Sequence, residues 1–525
     1  MMKKISLYLF LWSIGLFGYA QTVDQFELQK LYYSYGAITN FYVDKVDSTK
    51  LTEWAIKGML DALDPHSSYL TASEVKESTE SLQGSFDGIG VSFNIVEDTL
   101  IVVQSITGGP SEKLGIFPGD KIIYVNDTLV AGVKMKTSDI TKRLKGPKGT
   151  KVDVQILRNN KLSLFNITRD RIPIFSIDAE YMIDATIGYI KVNRFAGTTH
   201  KEVVDAIASL KKKGMKSLIL DLQGNGGGYL QSAIEIADEF LAGKRTIVYT
   251  EGVNQARQTA TSERKGLFET EKLAVLVDEY SASASEIVSG AVQDWDRGVI
   301  VGRRTFGKGL VQRPIPMPDG SEIRLTVARY YTPSGRSIQR PYEKGNEQYN
   351  DDISARFKHG EFVSADSITF ADSLKCTTLV SKRTIYGGGG IMPDVFVPAD
   401  TSKYTKLYRE LMQNSITIKV SINYVDKHRA ILSKQFTTFD EYKKDFNPQE
   451  VLTLVKQELQ EKEIAFTEEE WADTKPLLDI HIKSLIARHL WSTNEYFELV
   501  NQSSDFVNKA IDILKNKALY DSVLQ

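Results

Sequence analysis

Residues 218–241 read "LILDLQGNGGGYLQSAIEIADEFL". The first five positions are apolar except Asp221, the pattern of a strand covered on both faces, because a strand with one wet face would alternate. Gly224, Gly226, Gly227 and Gly228 then let the backbone approach a ligand closely, and from Tyr229 the spacing is helical. Upstream, "TIGYIKVNRF" and "KEVVDAIASLKKKG" repeat the order of strand and helix, so an α/β core is expected from Ala185. By themselves the glycines fit three tasks: cradling a phosphate, closing a tight turn, or donating hydrogen bonds to an oxyanion.

Two neighbouring stretches narrow the choice. In "VIVGRRTFGKGLVQRPIPMP", Gly302, Gly307 and Lys308 come close to a nucleotide-phosphate loop, but Gly309 stands where Ser or Thr must hold Mg²⁺. Pro314 and Pro316 also bar the helix that such a loop feeds. In "LVDEYSASASEIVSGAVQDWDRG", Leu276 to Gly298, an apolar strand breaks into Ser281, Ser283 and Ser285 and then becomes a helix. A serine in that break either caps the helix or attacks a substrate, and an attacking serine needs a base. His66, His200, His359, His428, His481 and His489 offer none in an evident position, and there is no G-x-S-x-G elbow. A lysine base is the arrangement that needs no histidine, provided burial lowers its pKa from the ordinary value near 10.4.

Residues 1–20, "MMKKISLYLFLWSIGLFGYA", combine two lysines, an apolar run and small Gly18 and Ala20, the layout of a cleavable export signal with the mature chain starting near Gln21. Cys376 is the single cysteine, which excludes an intramolecular disulfide. With 65 basic and 67 acidic side chains the formal net charge is −2, so no nucleic-acid partner is expected. Helical spacing runs from Phe26 to Asp64-Pro65. From Gly84 short alternating strands take over, followed by a helix near Ser138 to Leu144 and "KVDVQILR" as the last strand. This β-rich module resembles a PDZ domain through Gly88-Ile89-Gly90-Val91, the Gly119-Asp120 turn and "RLKGPKGTKV". The resemblance implies that amides of Gly88 to Gly90 receive a peptide's terminal carboxylate while the strand from Val91 pairs with the peptide. Val91, Phe93 and Ile95, set against Ile140 and Leu144, form either that groove or the module's core.

Ser281 to Ile287, Leu220 to Gly228, Thr305 to Gln312 and "YGGGGIMPD" at Tyr386 to Asp394, together with "GMLDALDPHSSYL" and "YYTPSGRSIQRPY", are similar to the carboxy-terminal processing peptidases, or tail-specific proteases, over residues 30–400. That resemblance implies Ser283 as nucleophile, Lys308 as general base and Gln312 as the residue orienting the lysine. The amide of Ala284 and that of Gly227 or Gly228 would be the oxyanion donors, with no metal or other cofactor. Ser281 and Ser285 remain alternative nucleophiles. Gln223 departs from the family's usual arginine after "LDL".

The expected architecture is multidomain α+β: a signal peptide (1–20), a helical domain (21–82), a PDZ domain (83–170), an α/β protease core (171–400) and a helical domain (401–525). The expected function is an exported serine endopeptidase that cleaves proteins or peptides with free C-termini near those ends, periplasmic once the signal is cleaved, with an uncleaved inner-membrane anchor as the alternative, and partnered by a second copy or an adaptor. The alternative is a non-catalytic PDZ scaffold on an inactive protease fold. The helical tail would serve dimer contacts, positioning or packing alone, and the polar insertion Tyr342 to Lys382 has no assigned role.

Overall fold

The computed structural model describes residues 24–525 except Glu97, Thr107, Lys344 and Thr401. The expected export signal lies outside the described residues. The central sheet runs in the order Ile177–Met182, Ile187–Val192, Ser217–Asp221, Lys272–Val277, Val299–Gly302 and Val395–Phe396, parallel after the first pair. Leu218, Leu220 and Leu222 belong to one core, shared with the helices Thr199–Lys212, Leu230–Asp238 and Ala284–Asp294. Ile219 belongs to another, shared with Val507, Ala510, Ile513 and Leu514 of the helix Asp505–Lys515. The uninterrupted apolar run is thus explained by a cover on each face.

That second cover corrects the domain expected over 401–525. Five helices from Lys406–Gln413 to Glu468–Leu490 do enclose a core of their own. The chain then returns, and Asp505–Lys515 and Lys517–Val523 become a layer of the α/β core, since a parallel sheet left bare on one face would expose a row of large aliphatic side chains.

A second, antiparallel sheet joins Thr246–Gly252, Gln255–Thr261, Leu310–Pro316 and Glu322–Tyr331, with Ser68–Leu70 added alongside Glu322–Tyr331. The N-terminal segment is therefore not helical throughout. Gln25–Phe41, Ser48–Asp61 and Ala72–Gln83 are helices, but Ser68–Leu70 is built into the sheet that also holds Leu310–Pro316, the strand just after Lys308.

The β-rich module is a sheet in the order Val91–Val96, Thr99–Ser105, Lys121–Val125, Lys151–Arg158 and Lys161–Thr168, with the helix Thr137–Leu144. A stalk of Ser85–Gly88 paired with Asp170–Pro173 joins it to the core. Lys151–Arg158 is not its last strand. Asn159 and Asn160, at φ 49° and 59°, make the two-residue turn that sends the chain back as Lys161–Thr168, a conformation asparagine tolerates better than most residues. Ile140 and Leu144 are core, Val91 and Phe93 pack partly against it, and Ile95 is exposed. The edge strand Val91–Val96 therefore keeps one unpaired side and a half-covered face.

Candidate active site

The three serines separate by what their hydroxyls do. Ser281 Oγ donates to Leu222 O at 2.8 Å, and Ser285 Oγ donates to Asn225 O at 2.8 Å; both side chains are buried. They stitch the serine turn to the glycine loop. Ser283 sits at φ 55° and ψ −110°, a strained setting for a residue with a Cβ, at the N-cap of Ala284–Asp294 in a capping-box arrangement with Glu286. The helix amides of Glu286 and Ile287 also bond to its carbonyl oxygen, so Ser283 caps the helix, and its strained backbone is what sets it apart from Ser281 and Ser285.

Glu286, fully buried, ties this turn to the lysine segment. Its Oε2 accepts from the amides of Ser283 (2.8 Å) and Lys308 (2.9 Å), and its Oε1 from Gly307 N (2.7 Å) and Thr305 Oγ1 (2.6 Å). Burial pushes its carboxyl up to about 7 against the pull of those four hydrogen bonds. Tyr330 adds a second tie, its single hydroxyl proton shared between Lys308 O and, at 3.2 Å, Ser283 O. Lys308 forms no ion pair among the described residues. Burial lowers its pKa, while Glu286 and Asp64 favour the charged form and Arg324 opposes it. From the insertion Tyr342 to Lys382, whose role the sequence left open, Arg356 donates to Thr305 O and Phe306 O and so braces the same segment.

The glycine loop is ordered by Asn225. Its Nδ2 donates to Val192 O, its Oδ1 accepts Gly227 N at 2.9 Å, and its carbonyl accepts Ala282 N and Ser285 Oγ. This corrects one expected donor: the Gly227 amide is already taken. The amides of Gly228 and Ala284 have no acceptor among the described residues, and both residues line a cleft of roughly 450 Å³ with Ser283 and Gln312. Tyr229, Ile287 and Leu310 supply apolar wall. Gly228, at φ +151°, admits no side chain, since a Cβ there would lie 2.1 Å from Phe195 O.

Gln312 departs from expectation in its contacts. Its Nε2 donates at 3.1 Å to Thr326 Oγ1, directly across on the paired strand, and Gln312 has no hydrogen bond to Lys308 among the described residues. Where arginine was expected, Gln223 bonds Asp221 through its amide and side chain, and Lys191 Nζ supplies the cation, 3.1 Å from Gln223 O and 3.3 Å from Asp221 Oδ2. In the β-rich module, the amides of Ile89 and Gly90 have no acceptor among the described residues, whereas Gly88 is part of the stalk and Val91 opens the edge strand.

Glu286, Tyr330 and Asn225 were not singled out in the sequence. Only Glu286 had a local signal, the Ser-x-x-Glu spacing of a capping box.

Comparison with protein families matches residues 186–346 to Peptidase family S41, 88–168 to the PDZ domain, 18–74 to the activating protease CtpB N-terminal domain and 407–492 to a family of unknown function. The carboxy-terminal processing protease CtpA of Bacillus subtilis (strain 168) is 38% identical over 323 residues, 61% of this chain and 68% of that protein. CtpB of the same organism is 34% identical over 355 residues, 66% and 71% of the two chains. A solved PDZ domain of a carboxy-terminal protease from Vibrio cholerae, in complex with peptide, is 31% identical and covers 17% of this chain and 99% of its own, with a TM-score of 0.16.

Proposed function

The chain belongs to the carboxy-terminal processing proteases, and on that premise we propose an exported endopeptidase that cleaves near substrate C-termini with a Ser283–Lys308 dyad. The observation that carries this reading is the strained turn at Ser283, which Glu286 ties to Lys308 and which lies beside the amides of Gly228 and Ala284, both without an acceptor among the described residues. Ser283 Oγ attacks the scissile carbonyl carbon while neutral Lys308 Nζ takes its proton. Negative charge on the carbonyl oxygen is met by the amides of Ala284 and Gly228. Lys308 returns the proton to the leaving amine, and water releases the acyl group by the same route. The free amides of Ile89 and Gly90 hold the substrate's terminal carboxylate, and the Val91–Val96 edge pairs with the residues before it. Export rests on the character of residues 1–20, and fractionation of cells expressing the full chain tests it.

Lys308→Arg tests the dyad. Guanidinium stays charged at any working pH and cannot accept the serine proton. The variant should fold, bind C-terminal peptides normally and be as inactive as Lys308→Ala, with peptide cleavage followed by mass spectrometry. Substantial turnover by a folded Lys308→Arg enzyme would remove the lysine from the role of base.

A further inference from the structure

The segment "DPHSSYL" leaves the N-terminal helices at Asp64 and enters the protease core, where Ser68–Leu70 pairs with Glu322–Tyr331. Asp64 is buried and has no cationic partner within ion-pair distance among the described residues. Its Oδ1 accepts from His66 N (2.8 Å), Ser67 N (2.9 Å) and Thr326 Oγ1 (3.1 Å), and its Oδ2 from Ser67 Oγ (2.6 Å). Ser67 Oγ in turn accepts Thr326 N at 3.1 Å.

These bonds have a direction. A carboxylate only accepts, so the Thr326 hydroxyl proton is committed to Asp64 and its oxygen is left to accept from Gln312. An amide has one donating and one accepting end, and this demand assigns the nitrogen of Gln312 to Thr326, at 3.1 Å. Oε1 remains as the end of Gln312 with no partner among the described residues, an acceptor on a residue that lines the cleft with Ser283.

We propose that Asp64 is a positioning residue of the peptidase, supplied by the N-terminal segment, which fixes Gln312 through Thr326 and places a permanent negative charge beside Lys308. The proposal rests on Lys308 acting as the base. Burial disfavours the charge on Asp64, but hydrogen bonds from Ser67, His66 and Thr326 hold its pKa below the usual value, so it is ionised at working pH. The groups that act electrostatically on Lys308 are Glu286 from the serine helix, Asp64 from this segment and Arg324 from the neighbouring strand. His66 of the same segment is uncharged: burial first, then Lys308, lowers its pKa to about 4.

The experiment uses the full chain, with kcat/KM for one peptide measured across pH. Asp64→Asn keeps an oxygen for His66 N, Ser67 N and Thr326 Oγ1, turns the bond to the Ser67 hydroxyl around so that the amide nitrogen donates, and removes the charge. Lys308 then loses a neighbour that favours its protonated form, so the acid limb should move to lower pH by about half a unit or more. Thr326→Val keeps the charge and cuts the relay, so kcat should fall by about five- to tenfold with KM and the limb unmoved. A purely structural Asp64 would lower the melting temperature without moving the limb. An Asp64→Asn profile superimposable on wild type, or Thr326→Val turnover within about twofold of wild type, overturns the proposal. If Asp64→Asn does not fold, the Thr326→Val result decides alone. Wild-type cleavage abolished by Ser283→Ala keeps the peptidase reading standing whichever way these variants behave; cleavage that survives Ser283→Ala ends both.

Discussion

Replacing Glu286 by Gln is the sharpest probe of how the site is assembled. Four donors converge on the carboxylate, and an amide can accept at only one of its two ends. In the better orientation the new nitrogen faces Thr305, whose oxygen can accept, and Gly307 N is left buried without an acceptor. An unsatisfied buried donor costs about 1–3 kcal/mol. If the serine turn relaxes in response, a displacement on the order of 1 Å lowers turnover by about 10²-fold. The pH dependence gives an independent sign. Burial raises this carboxyl from 4.5 in the unfolded chain to about 7 in the folded one, so its contribution to stability is full below 4.5 and is lost as pH rises through 7. The variant has no such titration. Its stability deficit should therefore be larger at pH 5 than at pH 8, by up to about 3 kcal/mol. Denaturant titrations at both pH values, with peptide turnover at pH 8, measure both effects. Turnover within about threefold of wild type would refute the idea that this carboxylate sets the geometry between Ser283 and Lys308.

Gly228 and Gly226 form a matched pair. An alanine Cβ at Gly228 meets Phe195 O at 2.1 Å, whereas one at Gly226 meets nothing within 4 Å. Gly228→Ala should lower kcat by about 10²-fold or more while Gly226→Ala stays near wild type, and equal kinetics for the two would remove Gly228 as an oxyanion donor. A substrate ending in a carboxamide should bind less tightly than its free-acid twin, because Ile89 and Gly90 offer amides suited to a carboxylate. Calorimetric titration of both peptides into the Ser283→Ala protein checks this, and equal affinity would count against tail recognition.

The double burial of Leu218 to Leu222 was legible because it leaves a mark in the strand itself. The identity of the far cover was not, since the pattern of Asp505–Lys515 says that it has an apolar face and not which surface receives it. The serine turn, the glycine loop and the lysine were legible as local motifs. Choosing Gly228 over Gly227 was not, because the choice depends on one side chain, Asn225, folding back over the loop. Asp64 and Tyr330 reach the site by contacts between distant segments, which no spacing encodes. The hairpin at Asn159-Asn160 is different: its turn residues were in plain view, and Lys161–Thr168 was a readable strand.

The late return of the chain to its own sheet bears on the order of assembly during synthesis. The strands from Ile187–Val192 to Val299–Gly302 emerge from the ribosome about two hundred residues ahead of Asp505–Lys515. In that interval Ile219, Ala274, Leu276 and Val299 have no partner layer. A nascent chain can thus hold both Ser283 and Lys308 and still lack the cover on this face of the sheet. Closure of this face of the sheet waits for Asp505–Lys515, and a chain released before that helix is made would expose Ile219, Ala274, Leu276 and Val299.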